Sequence, residues 1–326
     1  LVDILKITES PKGQGTIAPC VEYATNQQQG AYFYSNPKHI SFLTLALNAV
    51  KAAEIPIYRT RFSKHEFNQH QLLSLLIFKE YLGVKYRQLC DILELNEGIK
   101  KILGVQECHI TPPCVNFASN KLEINIQGSL EGNFSVLQVF WTYINNAVDS
   151  TGFPTSYFSY YYSVRAHKER KGFLKVSLAI DTQKQTILSL KVTGNRHHDS
   201  QHVRSLLRNA SRIKLAHYYV LDKGYDSEAI HRQIREEIHA ISYIPIRNWN
   251  ASYIGGLFRQ KMGKEFDRTI YGKRNMVETV FSVVKRKFGG CVRGICFKNQ
   301  VKEIKLKCIA YSVDRFLKNQ KILLVD

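Results

Sequence analysis

The sequence predicts an α/β catalytic unit, a mixed sheet flanked by helices, preceded by a mainly α-helical region. Three observations predict it. Strand-like and helix-like segments alternate from about residue 145 onward. Residues 65–95 carry helical periodicity. Charge divides the chain near the same place: residues 1–150 hold 13 basic and 13 acidic side chains, residues 151–326 hold 33 and 14. The whole net charge of +19 therefore belongs to the second half. Two units are expected, a helical region over 1–140 and a catalytic domain over 141–326.

Taken in order, residues 1–60 give no firm assignment. Leu72, Leu73, Leu75, Leu76, Tyr81 and Leu82 form an apolar helical stripe that stops at Gly83, and Tyr86, Leu89, Ile92 and Leu93 form another. Two helices joined at Gly83 could be a DNA-binding helix-turn-helix, but an ordinary αα-hairpin is the commoner outcome, and the neutral charge favours it. Pro112, Pro113, Gly128 and Gly132 mark a connector with one short helix near Val115–Leu122. Asn145–Phe153 reads as a strand. Leu174–Ile180 and Thr186–Val192 read as a hairpin. A helix begins at Ser200, capped by Asp199 or Ser200. His217–Leu221 is a strand, Ser227–Glu237 a helix, Ala240–Ile246 a strand, and Arg274–Phe288 a helix ended by Gly289 and Gly290. Three early strands with a hairpin, then alternating helices and strands, is the order of the ribonuclease H-like fold.

Composition narrows the function. The chain has 326 residues, 44% of them hydrophobic and 11% aromatic, which excludes a disordered polybasic tail. No apolar run reaches the ~18 residues of a membrane span. Leu1–Lys6 lacks the basic start and apolar run of a signal peptide, so a cytoplasmic protein is expected. Seven cysteines do not suggest a disulfide framework, and Cys108/Cys114 and Cys291/Cys296 lack zinc-site spacing. A basic half points to polyanions, nucleic acid first.

Three carboxylates stand where chemistry is expected. Asp149 ends the first strand, Asp222 ends the fourth, and Glu278 lies on the late helix. Side chains at strand ends converge outside the sheet. Clustered carboxylates repel one another until a cation sits among them, and hard oxygen ligands suit Mg²⁺ or Mn²⁺. Asp181 also ends a strand and competes for the first position, although Asp149 fits the order better. On the late helix, Tyr271, Arg274, Glu278 and Lys285 fall within about 60° of one another at ~100° per residue. Met276, Val280, Val283 and Val284 fall on the opposite side, flanked by Val277.

The spacing Tyr271-x2-Arg274-x3-Glu278-x6-Lys285 resembles the signature of prokaryotic insertion-sequence DDE transposases. Other segments agree in order: AVDSTGF at 147–153, GNRHHDS at 194–200, LDKGYDS at 221–227 and ETVFSVVKRKFG at 278–289. The resemblance covers about residues 65–310 and implies that Asp149, Asp222 and Glu278 form the DDE triad. It further implies two divalent metals, Mg²⁺ or Mn²⁺, cleavage and strand transfer at terminal inverted repeats and target DNA, and a homodimer. Lys285 would contact a phosphate near the cut, with Tyr271 and Arg274 on the flanking strand.

Further basic groups could extend the DNA surface. Arg286 and Lys287 follow Lys285, and Arg293, Lys298, Lys302, Lys305 and Lys307 continue the run. Arg165, Lys168, Arg170 and Lys171 follow the aromatic stretch Tyr157–Tyr162, which suits stacking beside phosphate contact. His197, His198 and Asp199 serve better as a helix entry than as a metal site. Two other readings stay open: an inactive or domesticated DNA-binding derivative, and a structure-selective nuclease on the same fold.

Overall fold

Side chains alternating across pleated strands build the centre of the molecule. A computed structural model describes residues 37–53, 55–58, 67–105, 144–155, 173–194, 199–247 and 253–323. Five strands form one mixed sheet: β1 (Ile144–Pro154), β2 (Phe173–Asp181), β3 (Ile187–Gly194), β4 (Ala216–Leu221) and β5 (Ile241–Tyr243). Their order is β3-β2-β1-β4-β5. The hairpin expected from the sequence is the antiparallel β2–β3 pair, and β1 is antiparallel to β2. β1 and β4, and β4 and β5, run parallel. The strand expected over Ala240–Ile246 is only the three-residue β5.

Each face of the sheet carries its own apolar cluster. Val148, Ala179 and Leu188 pack against Val203, Leu206 and Leu207 of α5 (Asp199–Ile213) and Ile230 of α6 (Glu228–Arg232). After Arg232 the chain widens into one π turn, Gln233–Glu237. On the opposite face, Ala147, Phe153, Leu174, Val176 and Leu178 join the larger core. That core includes Val277, Val280, Phe281, Val284 and Phe288 of the late helix.

The helices before the sheet share this larger core. They are α1 (Pro37–Ala52), α2 (Gln69–Leu82), α3 (Tyr86–Leu95) and α4 (Glu97–Leu103). Asn68 caps α2 with Gln71 in a reciprocal pair, and Gly83 ends it at φ 70. The sequence suggests a one-sided apolar stripe, yet Leu73, Ser74, Leu75, Leu76, Ile77 and Phe78 are all buried. A helix apolar on every side belongs inside a core. Here α1, the late helix and the C-terminal helix surround it. Ser74 donates its hydroxyl back to His70 O at 2.7 Å, which removes its polar cost. Leu89, Ile92 and Leu93 of α3 are buried in the same cluster. The domain boundary expected near residue 140, and the helix near 115–122, lie outside the described residues.

After β5 come α7 (Leu257–Glu265), α8 (Arg268–Gly272), α9 (Asn275–Phe288) and α10 (Phe297–Leu323). Residues 298–307, read from the sequence as an extended basic face, are part of α10. Lys307 is 3% exposed; its ammonium donates to Gly289 O and Cys291 O and pairs with Glu303 at 3.1 Å. It holds the end of α9 and cannot meet a phosphate. Among the described residues no helix is long and apolar enough to cross a membrane.

Leu75, fully buried in α2, tests whether this helix is integral to the core. We expect Leu75→Ala to cost about 2–5 kcal/mol. A urea titration should give a lower midpoint at unchanged slope.

Candidate active site

The pairing of β1 with β4 positions the first two carboxylates. The last aligned pair is Val148 opposite Leu221. One residue further on each strand stand Asp149 and Asp222. Asp149 does not end its strand, as the sequence suggested; it is the sixth of eleven residues in β1. β1 runs on to Pro154 paired with β2 alone. The notch where β4 stops is thus the place where the two aspartates emerge. Asp222 leads into a single 3₁₀ turn, Lys223–Tyr225, and its carbonyl accepts from Tyr225 N at 2.9 Å.

Two short helices supply the rest. The sequence placed Tyr271, Arg274, Glu278 and Lys285 on one helix. In the fold Tyr271 belongs to α8, capped by Asp267, and a turn at Lys273–Arg274 separates it from α9. The turn lets both side chains reach the notch. Tyr271 donates its hydroxyl to Asp222 Oδ1 at 3.3 Å. Arg274 donates to Asp149 Oδ2 and to Glu278 Oε1, both at 2.7 Å. Glu278 lies in the first turn of α9, where a carboxylate suits the helix dipole. The buried stripe of α9 is Val277, Val280, Phe281, Val284 and Phe288; Met276 and Val283 are only partly covered.

Burial raises Asp149 above the ordinary carboxylate range, and the charges of Asp222 and Glu278 push the same way. The Ser150 N–H, at 2.8 Å, and Arg274 oppose the rise. Burial also raises Tyr271 and lowers Lys285. Lys285 donates to Thr151 Oγ1 at 2.8 Å and lies 5.1 Å from the centre of the Phe153 ring. Thr151 and Phe153 lie on the same face of β1 as Asp149, so Lys285 sits further along the strand from the carboxylates.

Among the described residues no three His, Cys, Asp or Glu side chains converge tightly enough to enclose a metal. The donor set still suits a hard divalent cation. It consists of carboxylate oxygens, those of Asp222 and Glu278 raising the proton affinity of Asp149, with the Arg274 guanidinium between Asp149 and Glu278. Asp181 is placed differently. It is buried, its Oδ1 accepts from Gln183 N and Lys184 N, and Lys214 lies 3.8 Å away. Those bonds close the β2–β3 turn.

The other sequence candidates have separate surroundings. Arg286 bonds back to Ser282 O and is otherwise exposed. Lys287 pairs with Asp314 of α10 at 2.5 Å and lies 4.8 Å from the centre of the Tyr81 ring, so it joins three helices. Arg165, Lys168, Lys171, Arg170, His197 and His198 lie outside the described residues.

Sequence reasoning missed the support of the Asp222 turn. Asp226, 1% exposed at its side chain, accepts a two-pronged bond from Arg259, at 2.8 and 2.7 Å. Arg247 N donates to Asp226 at 2.9 Å, and the Arg247 guanidinium to Gly224 O at 2.8 Å. Glu228 accepts from Phe258 N and Arg259 N at the start of α7. Gly256, at φ 96, lies where a Cβ would strike that carboxylate. The Gly255–Gly256 pair was a local signal, but its partner is 28 residues away in sequence.

His231, buried beside this cluster, shares a 2.7 Å hydrogen bond with Ser242. Burial lowers its pKa to about 4 from 6.5, and Arg235 and Arg259 act in the same direction. Between those values the unfolded chain binds the extra proton. Stability is therefore full above pH 6.5 and falls as the pH drops toward 4. The expected loss is on the order of 3 kcal/mol, measured by denaturant titration at stepped pH. A His231→Gln variant should flatten that slope.

The family model described as a transposase DDE domain matches residues 142–313, a span that holds Asp149, Asp222 and Glu278. No curated protein matches the chain. The matched span exceeds half of the 326 residues and takes in the whole five-stranded mixed sheet and the helix of Glu278, so the chain belongs to the transposase DDE-domain family.

Proposed function

We propose that this chain is the transposase of a prokaryotic insertion sequence, with a ribonuclease H-like catalytic domain. It binds the terminal inverted repeats of its element as a homodimer, cuts them and joins them to target DNA. Asp149, Asp222 and Glu278 are its DDE triad and hold two divalent cations, Mg²⁺ or Mn²⁺. Residues 1–140 serve dimerisation, end binding or both, and the protein acts in the cytoplasm, on the nucleoid. One observation carries the reading: the β1–β4 register that ends at Val148 and Leu221 sets Asp149 beside Asp222. The bridge from Arg274 brings Glu278 to the same notch.

When bound, the cations polarise the scissile phosphate and make water or a 3′-hydroxyl a competent nucleophile. The protein's own work is placement. Asp149 is held by the Ser150 N–H and by its strand, and Asp222 by its turn and Tyr271. Arg274 presents a planar fork of donors, for which a DNA phosphate competes with Asp149 and Glu278. Lys285 of α9, whose ammonium reaches Thr151 of β1, meets a phosphate near the reacting one. Its partial burial means little water is displaced when that contact forms, and Thr151 keeps the ammonium in place meanwhile.

A plasmid bearing the gene's native flanks, with Mg²⁺ or Mn²⁺, tests the assignment. Wild type should cut at fixed flank positions. Asp149→Asn and Asp222→Asn should lose cleavage while binding the ends as before. Cuts that survive in Asp149→Asn would remove Asp149 from the triad; bound but uncut DNA with wild type would support the inactive derivative. Lys285→Ala should weaken end binding for all sequences alike and reduce its salt slope by about one unit.

A further inference from the structure

On the face of the sheet away from α9, three hydroxyl groups meet behind the notch. Ser150 follows Asp149 in β1, so its side chain points to the opposite face. Its Oγ lies 2.7 Å from Ser177 Oγ on β2 and 2.8 Å from the Tyr225 hydroxyl. Tyr225 belongs to the turn that Asp222 begins, is 3% exposed, and packs in the α5-side core. The far end of that turn is fixed by the Arg259–Asp226 fork and by Arg247 on Gly224 O. The ring therefore has little freedom to turn away.

The backbone alone does not set the spacing of the two aspartates. Aligned pairing of β1 with β4 stops at Val148 and Leu221, one residue before each carboxylate. Beyond that point the carboxylates repel one another. The Ser150–Tyr225 bond crosses the same gap from behind, joining the neighbour of Asp149 to the turn of Asp222.

We infer that Tyr225 is a positioning residue: its hydroxyl, bonded to Ser150, sets the separation of Asp149 and Asp222 and with it their joint affinity for a divalent cation. The inference rests on the reading of these aspartates as metal ligands. Groups that hold metal ligands from behind commonly change affinity by about 10–100-fold.

The test uses the full chain without DNA. Free Mn²⁺ is measured by electron paramagnetic resonance for wild type, Asp149→Asn, Tyr225→Phe, Ser150→Ala and the Ser150→Ala/Tyr225→Phe pair. Tyr225→Phe removes one oxygen and keeps the ring. We expect Mn²⁺ affinity to fall roughly tenfold in each single variant. The pair should fall no further than Ser150→Ala alone, because that change has already broken the Ser150–Tyr225 bond. Melting temperatures of the metal-free variants should stay with wild type. Unchanged affinity in Tyr225→Phe would overturn the inference, as would additive losses in the pair. Melting temperatures that fall in step with affinity would reduce Tyr225 to a structural role. Wild type that binds Mn²⁺ no better than Asp149→Asn would instead remove the metal assignment itself, and this inference with it.

Discussion

Carboxylates drawn together out of water repel each other, and the protein overcomes that with strand register and the side chains braced against it. The parallel register of β1 against β4 leaves Asp149 and Asp222 at neighbouring exits from the sheet. The side chains around them then hold each carboxylate in place, Ser150 N–H and Arg274 on Asp149 and Tyr271 on Asp222. The stress is visible in Asp149, whose proton affinity rises with burial and with the charges of Asp222 and Glu278. Everything else at the site answers this arrangement: a guanidinium between two carboxylates, a phenol on the third, and a clamped turn beneath.

The second requirement is that α9 not move. Its inner stripe packs into the sheet, and its outer positions carry Glu278 and Lys285. Several cations in its surroundings are used for holding rather than for binding. Lys307 fastens the carbonyls beyond its end, and Lys287 fastens α9 to Asp314 of α10. The enclosed helix α2 lies against both α9 and α10. The N-terminal helices thus help to position the site while contributing no side chain to the notch.

Local pattern revealed a good part of this. The strands around Asp149 and Asp222, the hairpin between them and the helix of Glu278 were legible, because each is a short run with its own period. The offsets of 4 and 7 between Arg274, Glu278 and Lys285 were legible for the same reason. Tyr271 was misplaced because a continuous helix and two short helices joined by a turn share the same spacing. The helix α10 was missed because the lysines scattered through its first half read as a solvated basic face, and Lys307 turns inward only where carbonyls await it. The Asp226–Arg259 fork joins residues 33 apart in sequence, and no local period can show such a pair.

By itself, then, the sequence determined the strands around Asp149 and Asp222, the hairpin between them and the helix of Glu278, where the basic charge lies, and which acidic residues have a spacing that resembles a DDE site. These depend on interactions within a few residues, where side-chain period and chain stiffness decide. The tertiary structure alone decided that β1 continues past Asp149 while β4 stops. It also decided which cations point inward and which side chain fills the space between the carboxylates. Those outcomes depend on strands and helices distant in sequence competing for one buried volume, and that competition is settled only when they pack.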